Sequence, residues 1–169
     1  LNFPTRKYNA DSDPEKQWRR GLYVHWQRQF LHPMFKAFDA PRREECTAQR
    51  AQSNTPIAAL TLMNDPTFLE AARAFAVRIM SLDAKSDKAR IAFAFRESLS
   101  RAPQSEEYQI VQKLLDQSRT KFSADRKSAE EFLAIGLSKT PAELDKKELA
   151  SWTAIARALL NTAEANYRD

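Results

Sequence analysis

Seven polar side chains between residues 39 and 65 carry the chemistry that this sequence could perform: Asp39, Arg43, Glu44, Arg50, Asn54, Asn64 and Asp65. Paired carboxylates suit general acid–base work when two of them face one substrate. The same residues also stand where helix starts want hydrogen-bond acceptors, and arginine–carboxylate pairs lock such turns together. The structural reading is preferred for Asp39, Arg43, Arg50 and Asp65, with Arg43 or Arg50 reaching Asp39, Glu44 or Asp65. Glu44, Asn54 and Asn64 are the residues expected to face a ligand. No residue is assigned a catalytic role.

Nucleophile and metal chemistry find less support. Cys46 follows Arg42 and Arg43, a setting that activates a thiol, and Glu44 and Glu45, which oppose it. A small buried hydrophobe is its expected role. The only histidines are His25 and His32, without a Cys-x-x-Cys-His for covalent haem or a His/Cys cluster of zinc spacing. His25 is expected as a half-buried helix residue. No cofactor and no metal is expected in this chain.

Composition narrows the classes further. With two glycines in 169 residues, tight hairpins, Walker loops and dinucleotide fingerprints lack the residue they need. The hydrophobic fraction, 43%, is that of a globular chain. A net charge of +5, dispersed along the chain, permits an acidic partner without demanding one, and no specific nucleic-acid partner is expected. One cysteine allows no internal disulfide. No apolar run approaches the roughly 20 residues needed to span a bilayer. The chain opens on Leu1 and reads as a piece of something longer.

The elements that must position these residues are helical throughout. Residues 1–13 read as a linker or surface arm, and 14–169 as a single helical domain. Asp13-Pro14 opens a helix with Trp18, Leu22, Trp26 and Phe30 inward and Tyr23 beside them, ending before His32-Pro33. A short irregular segment with Met34, Phe35 and Phe38 delivers Asp39, and Asp39-Ala-Pro41 starts a helical turn. Asn54-Thr55-Pro56 starts a helix with Ile57, Leu60 and Met63 inward, and Asn64-Asp65-Pro66 starts another, Asn64 satisfying the sharp turn. Phe68, Leu69, Ala72, Phe75, Ala76, Ile79 and Met80 then hold helical period. Further helices follow with Ile91, Ala94 and Phe95 inward, then Val111, Leu114 and Leu115 behind a Ser105 cap. Residues 125–135 form another, closed by Gly136, and the last carries Leu149, Trp152, Ile155 and Leu159 after Asp145. The fold class is all-α, an irregular bundle of about seven or eight helices with short loops.

FDAPRREEC (38–46), Arg50, SNTPIAAL (53–60) and LMNDPTFLEAAR (62–73) together resemble the C-terminal planctomycete surface domain, a domain of unknown function. RRGLYVHWQR (19–28), SRAP (100–103) and WTAIARALLN (152–161) extend the resemblance over nearly the whole chain after residue 15. Such domains usually follow a cytochrome-c-like domain in large exported proteins. The resemblance therefore implies a periplasmic or cell-surface location and haem in a preceding domain, and it supplies no catalytic residue. The family usually has glycine where Ser100 stands, so the turn there is expected to be made differently. In the tail, Asn161, Glu164 and Arg168 keep the family's pattern while Ala163 and Ala165 depart from it.

The expectation is thus a non-catalytic interaction domain docking against other domains of its own polypeptide, with polysaccharide as a further candidate partner. The alternative is part of a carbohydrate-active or redox enzyme completed by residues of a neighbouring domain.

Overall fold

Prolines and short oxygen-bearing side chains punctuate the chain, and most helices begin where they direct. The computed structural model describes residues 8, 13, 16, 18–27, 30–41, 46–49, 53, 55–83 and 86–166. Among those residues the chain is all-α, with eight α-helices, one 3-10 turn and no strand. It divides into two compact units, Leu1–Thr61 and Leu62–Asp169.

In the first unit the helix expected to carry Trp18 to Phe30 is not formed over residues 18–27. A 3-10 turn, Gly21–Tyr23, lies instead between Arg20 and Val24, both extended with ψ 145°. The competing contacts are local. Trp26 Nε1–H donates to the Gly21 carbonyl at 2.9 Å, and its ring stacks on Phe35 with centroids 4.5 Å apart. A Cβ on Gly21 would lie 2.6 Å from the Phe35 ring, so only glycine lets that ring close on the backbone. Trp18 and Leu22 are accordingly 49% and 81% exposed rather than inward. His25 is exposed on an irregular segment, not half-buried on a helix. The arm expected over residues 1–13 lies outside the described residues, Tyr8 and Asp13 excepted.

Helix α1, Pro33–Ala37, forms where an irregular segment was expected, because Pro33 takes the first helical position and His32 Nδ1 accepts from the Met34 N–H at 3.2 Å. Asp39 closes this helix, and the helical turn expected after Pro41 falls on residues 42–45, outside the described residues. Asp39 is left-handed, with φ 53°, and the Ala40 N–H returns to the Phe35 carbonyl at 2.8 Å, a Schellman closure. Aspartate tolerates that conformation better than most residues. Helix α2, Pro56–Asn64, begins as expected, with the Thr55 hydroxyl accepting from the Ala58 N–H at 3.2 Å. Its inward face is not the expected one: Ala58 is buried, whereas Ile57 and Leu60 are 65% and 58% exposed.

The second unit contains α3 (Pro66–Met80), α4 (Asp87–Leu99), α5 (Ser105–Ala124), α6 (Arg126–Leu133), α7 (Lys146–Leu160) and α8 (Ala163–Asn166). Side-chain oxygens of Asp65, Ser86, Asp125 and Asp145 cap α3, α4, α6 and α7 by accepting from Thr67, Ala89, Ser128 and Lys147 N–H groups. On α5 the cap differs from expectation. Ser105 is already helical, and Glu107 reaches back to accept from the Gln104 N–H at 2.7 Å.

Helix α7 is the axis of this unit. Leu149, Ala150, Ser151, Trp152 and Thr153 are buried in succession, more than one helix face can hold. Helices α3, α4, α5 and α6 all pack against it. Ser151 and Thr153 are admitted to this interior because their hydroxyls donate to the Lys147 and Leu149 carbonyls at 2.8 and 2.7 Å. Ile79, Ile91, Leu115 and Ile155 complete the dry centre.

Between α4 and α5 the turn is made by the left-handed conformation that glycine favours, although serine stands there: Ser100 has φ 60° and ψ 19°. The expected different turn is not found. The Cβ of Ser100 meets a steric penalty that glycine lacks. Ser100→Gly is therefore expected to stabilise the protein by about 1 kcal/mol, read as a raised urea midpoint at constant slope.

Candidate functional site

The residues singled out in the sequence do not all converge. Glu44, Asn54, Arg43 and Arg50 lie outside the described residues. Asp39, in the first unit, accepts through Oδ2 from the Ser53 N–H at 2.8 Å and the Ser53 hydroxyl at 2.5 Å. It thereby ties the end of α1 to the chain entering α2. Asp65, in the second unit, caps α3 through Oδ1, 2.9 Å from the Thr67 nitrogen. That cap, rather than Asn64, satisfies the sharp turn. Asn64 is exposed at the last position of α2. Cys46, expected buried, is exposed.

The charged groups that organise the second unit were not anticipated. On α3, Glu70 and Arg73 are buried, 3% and 4% exposed. Arg73 Nη1 donates to the carbonyls of Leu133 and, at 2.8 Å, Ile135, while Nη2 donates to Ser138 at 2.6 Å. Glu70 accepts from the Leu137 N–H at 2.6 Å and from the Ser138 hydroxyl. Burial pushes the Glu70 carboxyl up, but the Ser138 hydroxyl, the Leu137 and Ser138 amides and the Arg73 charge outweigh it and hold it below its ordinary value. Gly136 (φ 100°) passes so close that a Cβ there would overlap the Glu70 carboxylate.

Two further arginines each clamp two carboxylates. Arg101 donates to both oxygens of Glu107 at 2.7 and 2.6 Å and to both of Glu164 at 2.7 Å. Arg119 donates to both oxygens of Asp87, at 2.6 and 3.0 Å, and to both of Glu148. Glu148 also accepts from Trp152 Nε1–H at 2.9 Å. The Arg101 bonds, with the Gln104 amide, hold the Glu107 carboxyl down at about 2. The Arg119 bonds hold Asp87 below its ordinary value against the opposing effect of burial. Such doubly bidentate pairs fix geometry as well as charge.

One cleft of about 520 Å³ opens between α5, α6 and α7. Met63, Leu114, Phe122 and Phe132 supply its large apolar side chains, and Gln117, Ser118, Lys121, Ser128, Arg157 and Asn161 its polar ones. Arg157 lies over the Phe132 ring, 5.4 Å from its centroid, and Lys121 Nζ is 5.7 Å from that of Phe122. Asn161 Oδ1 is buried without a hydrogen-bond partner among the described residues. A larger hollow of about 710 Å³ along Tyr108 to Lys121 is lined by α5 alone and is a surface furrow.

Fold and polar groups together define a helical bundle domain whose buried and half-buried carboxylates are bound by arginines and backbone amides. The chain belongs to the PSD1 family, described as a protein of unknown function (DUF1553), whose model matches residues 2–115. The match stops within α5, so Arg157 and Asn161 lie beyond it. No curated protein and no solved structure matches the chain.

Signals for the missed residues were present but weak. Glu70 and Arg73 sit beside Leu69 and Ala72 on the face the apolar period turns inward, which is where a charge must find partners. Arg73→Ala would leave Glu70 and three carbonyls short of a partner, and is expected to cost about 3–5 kcal/mol. The exposed Arg78→Ala should stay within about 0.5 kcal/mol in the same denaturant titration.

Glu107 supplies a pH test. Its carboxyl titrates near 2 when folded, against an ordinary 4.5, so its stabilising contribution is full above 4.5 and is lost as pH falls toward 2. Glu107→Gln should therefore show a smaller fall in Tm than the wild type between those two values. Equal slopes would remove Glu107 from the acid response.

Proposed function

We propose that the chain is a non-catalytic helical interaction domain of an exported multidomain protein, acting in the periplasm or at the cell surface. Its partners are other domains of the same polypeptide, among them a cytochrome-c-like domain that carries the haem. Export and the haem-bearing neighbour rest on the resemblance of residues 38–73 to the planctomycete surface domain.

The docking reading is carried by α2. Its nine residues, PIAALTLMN, include no charge and only two polar side chains, Thr61 and Asn64, a composition that approaches that of a helix enclosed by protein. Only Ala58 is buried. Ile57 and Leu60, neighbours on the helix surface at a spacing of three, stay exposed at 65% and 58%. Exposed apolar surface of that kind suits a protein contact. Among the described residues five carboxylates are engaged in holding the helices: Asp87, Glu107, Glu148 and Glu164 by arginines, and Glu70 by Ser138 and the Leu137 amide.

The test replaces Ile57 and Leu60 by glutamate together. The double variant is expected to keep the wild-type Tm and to lose association with the remaining domains of the polypeptide supplied as a separate chain, measured by calorimetry. A large fall in Tm would show that the row packs within the chain itself. Undiminished association would show that docking uses another surface.

A further inference from the structure

The cleft between α5, α6 and α7 combines features that no internal contact uses up. Arg157, in the last turn of α7, and Asn161, the residue that caps its C-terminus, lie one turn apart on the same side. Among the described residues no carboxylate stands within 4 Å of Arg157 or Lys121, whereas Arg101 holds two and Arg119 three. None of the lining residues is acidic. Among the described residues the one contact of the Arg157 guanidinium with an oxygen is a long one, 3.5 Å from the Met63 carbonyl. Asn161 Oδ1 is a buried acceptor with no donor among the described residues, a state that carries a free-energy penalty until a donor arrives.

We propose that this cleft binds a small amphipathic acid of the N-acyl amino acid type. The acyl chain lies against Leu114, Phe122 and Phe132, the carboxylate meets the Arg157 and Lys121 cations, and the amide N–H donates to Asn161 Oδ1. Each part of the ligand answers one feature of the wall. The Leu114, Phe122 and Phe132 side chains take the chain past the single hydroxyl of Ser118, two cations without a carboxylate partner among the described residues take the acid, and the orphaned carbonyl oxygen selects a donor beside it. A volume of about 520 Å³ falls within the range of small-molecule sites, roughly 300–1,000 Å³. The inference is independent of the docking proposal, which uses Ile57 and Leu60.

The probe is N-octanoylglycine, titrated calorimetrically into the whole chain beside its methyl ester and octanoate. The acid is expected to bind, the ester to bind at least roughly tenfold more weakly for want of charge, and octanoate more weakly for want of the N–H. Arg157→Gln should reproduce the loss seen with the ester, and Arg126→Gln, an exposed arginine on α6 outside the cleft, should bind as wild type. Asn161→Ala should bring N-octanoylglycine down to the level of octanoate while leaving octanoate unchanged. Because Arg157 touches Phe132, folding of the variants is checked by thermal melts. The wild-type comparison of acid with ester decides the matter even if a variant is destabilised. No binding by the wild type, equal binding of acid and ester, or equal losses in Arg157→Gln and Arg126→Gln would overturn the proposal.

Discussion

A helix that ends inside a protein leaves carbonyls that must find donors. For α6 those donors come from the side of another helix, where Arg73 takes the Leu133, Ile135 and Ser138 carbonyls. The second unit depends on this contact, because it allows the chain to leave α6, turn through Gly136 and reach α7 while staying packed on α3. Glu70 makes the arrangement electrically tolerable. It offsets the charge of Arg73 and accepts from the same loop through the Leu137 amide and the Ser138 hydroxyl. A buried pair of this kind adds little net stability over a well-packed apolar pair, but either half left alone is costly. Its value is in specifying one path for the loop.

The same logic is repeated at the surface with less burial. Asp87 and Glu148 occupy first turns of α4 and α7, and Glu107 and Glu164 those of α5 and α8. A carboxylate there is favoured by the positive end of its helix. Bringing two such helix starts together sets like charge beside like charge, and a guanidinium between them resolves the conflict. Arg119 does so for α4 and α7, and Arg101 for α5 and α8. In both cases the planar fork binds both oxygens of each acid, a geometry that lysine could not supply.

How much of this the sequence displayed depends on range. Caps at Asp65, Asp125 and Asp145 were legible because their partners lie two or three residues away. The α3 and α7 interiors were legible because helical period fixes which side chains share a face. What failed was set by distant or competing partners. The stripe from Trp18 to Phe30 keeps helical spacing, yet Trp26 does better by stacking on Phe35 and capping the Gly21 carbonyl. Asp39 looks like a helix start beside Pro41, but it follows α1 closely enough to become its left-handed end. Glu70 and Arg73 find their partners 60 or more residues downstream, at Leu133 to Ser138, a separation that no local pattern reports. Of the residues proposed to face a ligand, Asn64 is exposed at the end of α2 and contributes no cap, while Glu44 and Asn54 fall outside the described residues.

Arg157 gains its meaning from that background. Three arginines of the second unit, Arg73, Arg101 and Arg119, are bound to carbonyls or carboxylates: Arg101 and Arg119 each join two helix starts, and Arg73 joins the side of α3 to the end of α6. Arg157 stands in the last turn of α7, where a cation is favoured by the helix dipole, and otherwise rests on an aromatic face. The structural work of α7 is already done by Trp152, Ile155 and Leu159, which are buried, so the guanidinium is not needed to seat the helix. A cation–aromatic contact holds it over Phe132 without consuming its hydrogen-bond donors. The end of α7 therefore keeps a positioned, solvent-reachable set of donors beside an apolar wall, while the charges elsewhere in the unit are spent on holding the helices together.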